Sequence, residues 1–145
     1  GLALRAARGE RPDVGEAIAH ESAGAIAVGA RPVLIAFNIV LAGADLTLGR
    51  RIARTLRERN GGLCSLRVLA LTLPDGRVQI SCNIGDVAAT SLARIIGVVK
   101  RIAARHGTQV AECELIGLLP REALRSLVSH VLGIDGSEVA SPLAQ

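Results

Sequence analysis

Hydrophobic and polar positions follow three rhythms along the 145-residue chain, and each rhythm predicts an element. From Val33 to Leu41 the residues are apolar almost without break, interrupted only by Asn38, and the run is bracketed by Gly29 and Pro32 before it and Ala42-Gly43-Ala44 after it. It is too short for a membrane helix and rich in β-branched side chains, so it reads as a strand buried on both faces. A helical rhythm follows: Asp45 offers an N-cap, Leu48, Ile52 and Leu56 form the apolar stripe, and Arg50, Arg54 and Arg57 take another face, with the helix reaching about Arg59 before Asn60-Gly61-Gly62 stops it. Strict alternation then runs from Leu66 to Leu73 and again from Val78 to Ile84, around Pro74-Asp75-Gly76, which predicts a hairpin. In its second arm Val78, Ile80, Cys82 and Ile84 share one face, and the uncharged, hydrogen-bonding Gln79, Ser81 and Asn83 share the other. Thr90 or Ser91 caps a second helix to His106, with Leu92, Ile95, Ile96, Val99, Ile102 and Ala103 as its buried stripe and Gly107 at C′. Gln109 to Leu119 reads as a last strand, and Pro120 at N1 opens a third helix through Leu124, Leu127, Val128 and Val131.

The order β-α-β-β-α-β is the split-βαβ or ferredoxin-like arrangement, an α+β fold. Right-handed crossovers place both helices on one face of a four-stranded antiparallel sheet, with the C-terminal helix added and the other face open. Residues 1–24 form a lead-in, in which the Ala/Arg segment Gly1 to Gly9 reads as the end of a helix and Glu10 to Gly24 is irregular, broken by Pro12, Gly15 and Gly24; residues 25–135 form the folded domain; residues 136–145 form a loose tail.

Composition changes this picture in two ways. Phe37 is the only aromatic residue, so the core is aliphatic and no ring is available to stack on a flat ligand. RNA-recognition domains of this topology stack bases on sheet aromatics, which argues against a nucleic-acid partner despite a net charge of +4. Cys64, Cys82 and Cys113 lack metal-finger spacing and read as reduced thiols of a cytoplasmic protein; there is no signal-peptide pattern and no membrane-spanning run. A chain that starts at Gly1 rather than Met reads as processed, cut, or an internal piece of something longer.

Candidate chemistry is sparse. Asn38 is either an amide bonded to neighbouring backbone or a ligand contact at the mouth of the sheet, since a buried amide left unpaired costs about 1–3 kcal/mol. His20, beside Glu21 and Ser22, is a solvated loop histidine or part of a functional loop. His106 and His130 lie on helices and read as structural, and the three histidines have no metal-ligand spacing, so no metal is expected. The arginine stripe at 50, 54 and 57 is a solvated surface or an anion-attracting face. Glu112 and Glu114 share one face of the last strand, either as an exposed pair or as groups for acid–base work or for binding a cation.

The run His20-Glu-Ser-Ala-Gly-Ala-Ile-Ala-Val-Gly-Ala-Arg-Pro-Val-Leu-Ile-Ala-Phe-Asn38 resembles the opening of the C-terminal subdomain of glutamate formimidoyltransferase. Arg51-Ile52-Ala53 with Leu56-Arg57-Glu58, Val78-Gln79-Ile80-Ser81 with Asn83, and Glu114-Leu115-Ile116-Gly117-Leu118 with Pro120 continue the resemblance in order, over about residues 13 to 125. It implies a two-subdomain enzyme of ferredoxin-like fold that transfers a formimino group from N-formimino-L-glutamate to tetrahydrofolate, in one-carbon metabolism and histidine degradation. Folate then lies in a channel between subdomains and acts as co-substrate. The resemblance puts the folate loop at Gly15 to Gly24, including His20, Glu21, Ser22 and Ala23, and a further contact near Thr55. Glu21 and Ser22 replace the family's usual Pro and Thr, and Val40 stands where a second Asn is common. The family's catalytic histidine belongs to the N-terminal subdomain, so none of the three histidines here inherits its role. From the polar sheet face itself come three further expected folate contacts, Asn38, Gln79 and Asn83. The expected partner is an N-terminal formiminotransferase subdomain or a second copy packed on the open sheet face. The competing reading is a non-catalytic ferredoxin-like module that dimerises or binds another protein through that face.

Overall fold

Why the chain folds as it does is plainest at its hairpin and two helix caps, in a computed structural model that describes residues 4–5, 8–16 and 18–133. The chain divides into two compact units, Gly1–Arg31 and Pro32–Gln145. The second contains β1 (Ile35–Ala42), α1 (Leu46–Leu56), β2 (Leu66–Thr72), β3 (Val78–Ile84), α2 (Leu92–Arg105), β4 (Gln109–Ile116) and α3 (Arg121–Leu132), with a short 3-10 turn at Glu58–Asn60. Asp45 caps α1 by accepting from Leu48 N at 2.7 Å, and Ser91 caps α2 by accepting from Arg94 N at 3.3 Å. In the hairpin turn the Asp75 side chain accepts from Arg77 N at 3.0 Å and Gly76 takes a φ of 83°, which favours glycine.

The sheet is antiparallel throughout, in the order β2-β3-β1-β4, as the βαββαβ reading requires. Ile35, Phe37, Ile39 and Leu41 of β1 join Leu66, Val68, Val78, Ile80, Cys82 and Ile84 beneath Ile52, Ala53 and Leu56 of α1 and Leu92, Ile95, Val99 and Ala103 of α2. This core, aliphatic but for Phe37, lies between the sheet and the helix layer. Gly49 lets α1 approach the sheet: a Cβ there would stand 2.6 Å from Val78 Cγ1.

Several expectations change. β1 is central in the sheet but is not buried on both faces, because no described element of this unit covers the side carrying Ala36 and Asn38, which are half-buried. α1 ends at Leu56 rather than near Arg59: Arg57 turns extended, and its Nε donates to the Val68 carbonyl at 2.6 Å, so it leaves the arginine stripe to cap the edge of β2. Gly61, at φ 80°, closes the 3-10 turn that follows. β4 stops at Ile116, short of Leu119, and Pro120 is the N-cap of α3 rather than its first residue. In α3 the expected stripe is only partly inside. Ala123 is buried and Leu127 packs on the core, but Leu124 is 50% and Val131 73% exposed. Residues 4–5 are helical, in keeping with a helix end in the first segment; the tail at 136–145 lies outside the described residues.

Candidate functional site: the open face of the sheet

The pairing registers turn the uncovered face into a grid. Across the strands, Arg67, Asn83, Ala36 and Ile116 form one row; Leu69, Ser81, Asn38 and Glu114 the next; Leu71, Gln79, Val40 and Glu112 the third. Period-two alternation produces this, because every residue that sends a neighbour into the core stands on the opposite side itself. Asn38, Gln79 and Asn83 are thus brought onto one surface, with Ser81 between them.

Asn38 finds its partner across β1 and β4: its Nδ2 donates to Glu114 Oε2 at 3.0 Å. Its amide therefore bonds to a side chain on the open face rather than to backbone. Glu112, one row away, is held differently. Arg77 Nη1 donates to Glu112 Oε1 at 2.9 Å while Arg77 Nε donates to Asp75 Oδ2 at 2.7 Å. This bridge from the start of β3 to β4 crosses β1 beside Val40, which is only 3% exposed although it belongs to the open face. The Arg77 backbone and guanidinium N–H groups hold the Asp75 carboxyl below its ordinary range, and the two carboxylates raise Arg77 further.

At the β2 edge the face opens into a hollow of ≈ 430 Å³ lined by Arg57, Arg59 and Arg67 with Glu58, Leu69, Ser81 and Asn83. The Ser65 backbone N–H donates to the Glu58 carboxylate and holds it below the usual range, helped by the Cys64 thiol and by the Arg67 guanidinium. Ser65 itself takes a φ of 52°, unusual for a residue other than glycine. Three guanidinium groups against one ionised carboxylate leave the hollow net positive. Residue-by-residue reading of the sequence missed it, because Arg59 and Arg67 lie on different elements and only the turn at Gly61 and Gly62 brings them together.

Thr55 lies elsewhere. It is exposed on α1, where its hydroxyl donates to the Arg51 carbonyl at 3.1 Å, so the sheet separates it from Asn38, Gln79 and Asn83. Arg50 and Arg54 stay on the exposed side of α1 with Arg51 around a shallow hollow of ≈ 420 Å³. His106 is tied into the helix layer, its Nδ1 bonding the Ile102 carbonyl at 2.8 Å and its Nε2 accepting from Arg51 Nη1 at 3.3 Å. Among the described residues no group of three or more His, Cys, Asp or Glu could hold a metal ion, and no helix is long and apolar enough to cross a membrane. The three cysteines are free.

The first unit carries the loop at 15–24. His20 and Gly24 pair backbone to backbone, with His20 N donating to Gly24 O at 3.1 Å and Gly24 N to His20 O at 2.9 Å. Within that turn the Ser22 and Ala23 backbone N–H groups both donate to His20 Nδ1, at 3.3 and 3.2 Å, which leaves the ring proton on Nε2. His20, Glu21, Ser22, Ala23 and Gly24 are all exposed, as is Gly15 at φ 94°.

The fold and this face define a class: an α+β, ferredoxin-like sheet domain with a helix-covered side and an open, hydrogen-bonding side. The formiminotransferase domain model matches residues 36–135, and the chain belongs to that family. It is 36% identical over 127 residues to a glutamate formimidoyltransferase of Thermoplasma acidophilum, covering 87% of this chain and 42% of that protein. A glutamate formimidoyltransferase of Streptococcus pyogenes serotype M1 is 34% identical over 125 residues, covering 86% and 42% respectively. The formimidoyltransferase-cyclodeaminase of Mus musculus is 33% identical over 120 residues, covering 78% of this chain and 22% of that protein. The chain thus spans well under half the length of these relatives.

Proposed function

We propose that this chain is the folate-binding half of a glutamate formimidoyltransferase, and that its open sheet face forms one wall of the tetrahydrofolate site. The observation that carries the reading is the amide-rich grid: Asn38, Gln79, Ser81 and Asn83 stand together on a face that no described element of their own unit covers. Family membership supports the chemistry, since the relatives are formimidoyltransferases. Neutral donors and acceptors suit the pteridine edge and the p-aminobenzoyl amide, and the net positive hollow at Arg57, Arg59 and Arg67 suits the glutamate carboxylates. The family resemblance assigns the loop with Gly15, His20, Glu21, Ser22, Ala23 and Gly24 to folate as well, whereas Thr55, on the helix side of the sheet, stands apart from this face.

In the proposed reaction N5 of tetrahydrofolate attacks the formimino carbon of N-formimino-L-glutamate. The bond from that carbon to the glutamate nitrogen then breaks, and the proton released from N5 passes to the departing amine. This face binds and orients the pteridine, while a histidine of a partner N-terminal subdomain moves the proton. The test is reconstitution: this chain is mixed with the separately produced N-terminal half of the Thermoplasma acidophilum relative, and formation of 5-formiminotetrahydrofolate is followed. Product that appears only on mixing, and falls with Asn38→Ala, supports the reading. A mixture that forms a stable complex and makes no product refutes it and favours the non-catalytic module.

A further inference from the structure

We propose that Glu114, positioned by Asn38, is the carboxylate with which the open face reads its ligand, and that the group it reads is a planar H–N–C–N–H donor fork. This rests on the folate reading above and specifies which part of the ligand meets which residue.

The case begins with two carboxylates on one strand face that are treated in opposite ways. Glu112 is neutralised by Arg77 at 2.9 Å. Glu114, two residues on, has no cationic partner among the described residues; the Asn38 amide at 3.0 Å is its one hydrogen bond, made to Oε2, and Oε1 is left without one. A neutral amide orients a carboxylate without cancelling its charge, which an arginine would do. Asn38 is itself well fixed: it sits in the central strand, its backbone paired to Ser81 on one side and Glu114 on the other. A site built on a paired strand holds its geometry better than one on a loop.

The complement of an oriented carboxylate is a pair of parallel N–H groups, the bidentate arrangement that gives both strength and angular selectivity. Two groups in the proposed reaction have this fork. One is the 2-amino-4-oxopyrimidine edge of the pteridine, with N3–H and the 2-amino group; the other is the amidine of the formimino donor. Ala36 flanks Asn38 with small, half-buried apolar surface, a floor suited to a flat ring system. The arginine-lined hollow begins at β2, three strand spacings from β4, or roughly 14 Å. An elongated molecule with a donor fork at one end and carboxylates at the other matches that polarity.

The experiment is calorimetric titration of the full chain and of Glu114→Gln with 5-formyltetrahydrofolate and, separately, with N-formimino-L-glutamate. Glu112→Gln serves as the surface-charge control, and far-UV circular dichroism verifies each fold. Loss of a hydrogen-bonded charge predicts about ten- to hundred-fold weaker binding of at least one ligand by Glu114→Gln, with Glu112→Gln within about two-fold. Weakening of the folate alone identifies the pteridine fork as the group read; weakening of N-formimino-L-glutamate identifies the amidine. A folate analogue with methyl in place of the 2-amino group separates recognition from a merely structural effect: it keeps N3–H but loses the second donor, so the difference in affinity between the parent chain and Glu114→Gln should shrink. Equal affinity of Glu114→Gln and the parent chain for both ligands overturns the proposal and leaves the folate reading standing. A folded parent chain that binds neither ligand overturns the folate reading and this proposal with it.

Discussion

Replacing Gly49 with alanine puts a better helix former into the middle of α1, and on propensity alone it stabilises the protein by about 0.8–1 kcal/mol. The structure predicts the opposite sign. The new Cβ would stand 2.6 Å from Val78 Cγ1 and 3.3 Å from Ala70 Cβ, where ordinary contact begins at 3.4 Å, so the first pair must separate by 3.4 − 2.6, about 0.8 Å. Val78 is only 1% exposed and β-branched, so its χ1 is restricted and the contact falls on a stiff side chain rather than on the end of a flexible one. Overpacking of this kind costs about 1–3 kcal/mol; taking about 2 and subtracting the propensity gain of about 1 leaves a net loss of about 1 kcal/mol. Urea denaturation followed by far-UV circular dichroism measures it, with Gly97→Ala as the internal control. A Cβ at Gly97 in α2 would meet only Arg101 Nη1 at 3.8 Å, so that variant should gain about 0.5–1 kcal/mol. Adding Val78→Ala to Gly49→Ala should relieve the contact, giving a favourable coupling of about 1 kcal/mol against the sum of the single variants. If Gly49→Ala stabilises as much as Gly97→Ala, the close packing of helix on sheet described here is wrong.

Further outcomes follow from the same geometry. Burial pushes the Cys82 thiol up to about 12 from 9.0. An unfolded chain therefore releases this proton at lower pH than the folded one, so Cys82 supports the fold fully below about pH 9 and loses that contribution progressively as pH rises toward about 12, visible as a falling denaturation midpoint that Cys82→Ala flattens. Burial also raises the Cys113 thiol, so mass-resolved alkylation at pH 8 (about the range of an ordinary thiol) should label exposed Cys64 first, Cys113 more slowly, and Cys82 only on unfolding. Thr90 is fully buried, and its hydroxyl donates to the Cys64 carbonyl at 2.8 Å; Thr90→Val should cost about 1–2 kcal/mol in the same urea assay, and a neutral result would contradict that bond. Arg67→Gln removes one of three guanidinium groups from the hollow and should weaken 5-formyltetrahydrofolate binding about ten-fold, an effect that shrinks at high salt.

How much of this was legible in the sequence depended on whether a signal was local. The alternation of Val78, Ile80, Cys82 and Ile84 against Gln79, Ser81 and Asn83 assigned both faces of β3 directly, and Asp45 marked the first helix and Thr90 or Ser91 the second, with Ser91 the cap, because capping is decided within a few residues. Arg57 could not be read so easily. Its position continues the helical stripe of Arg50 and Arg54, yet the Val68 carbonyl at the sheet edge, eleven residues on, takes its Nε instead. Helical spacing likewise suggested a buried Leu124 and Val131 in α3, but the position of a terminal helix against its neighbours is a tertiary matter. For the site, the shared faces of Gln79 with Asn83 and of Glu112 with Glu114 were plain. What needed the fold was register: only the pairing of Asn38 with Glu114 and of Arg77 with Glu112 shows that one carboxylate is oriented and the other neutralised.

The most direct test of the central claim is calorimetric titration of this chain with 5-formyltetrahydrofolate, a stable stand-in for the formimino product, run with a measurement of its solution mass. The account predicts saturable binding at one site per chain, weakened about ten-fold or more by Asn38→Ala. A folded chain that shows no saturable binding, and whose mass is that of a stable dimer, would contradict it and identify the domain as an interaction module.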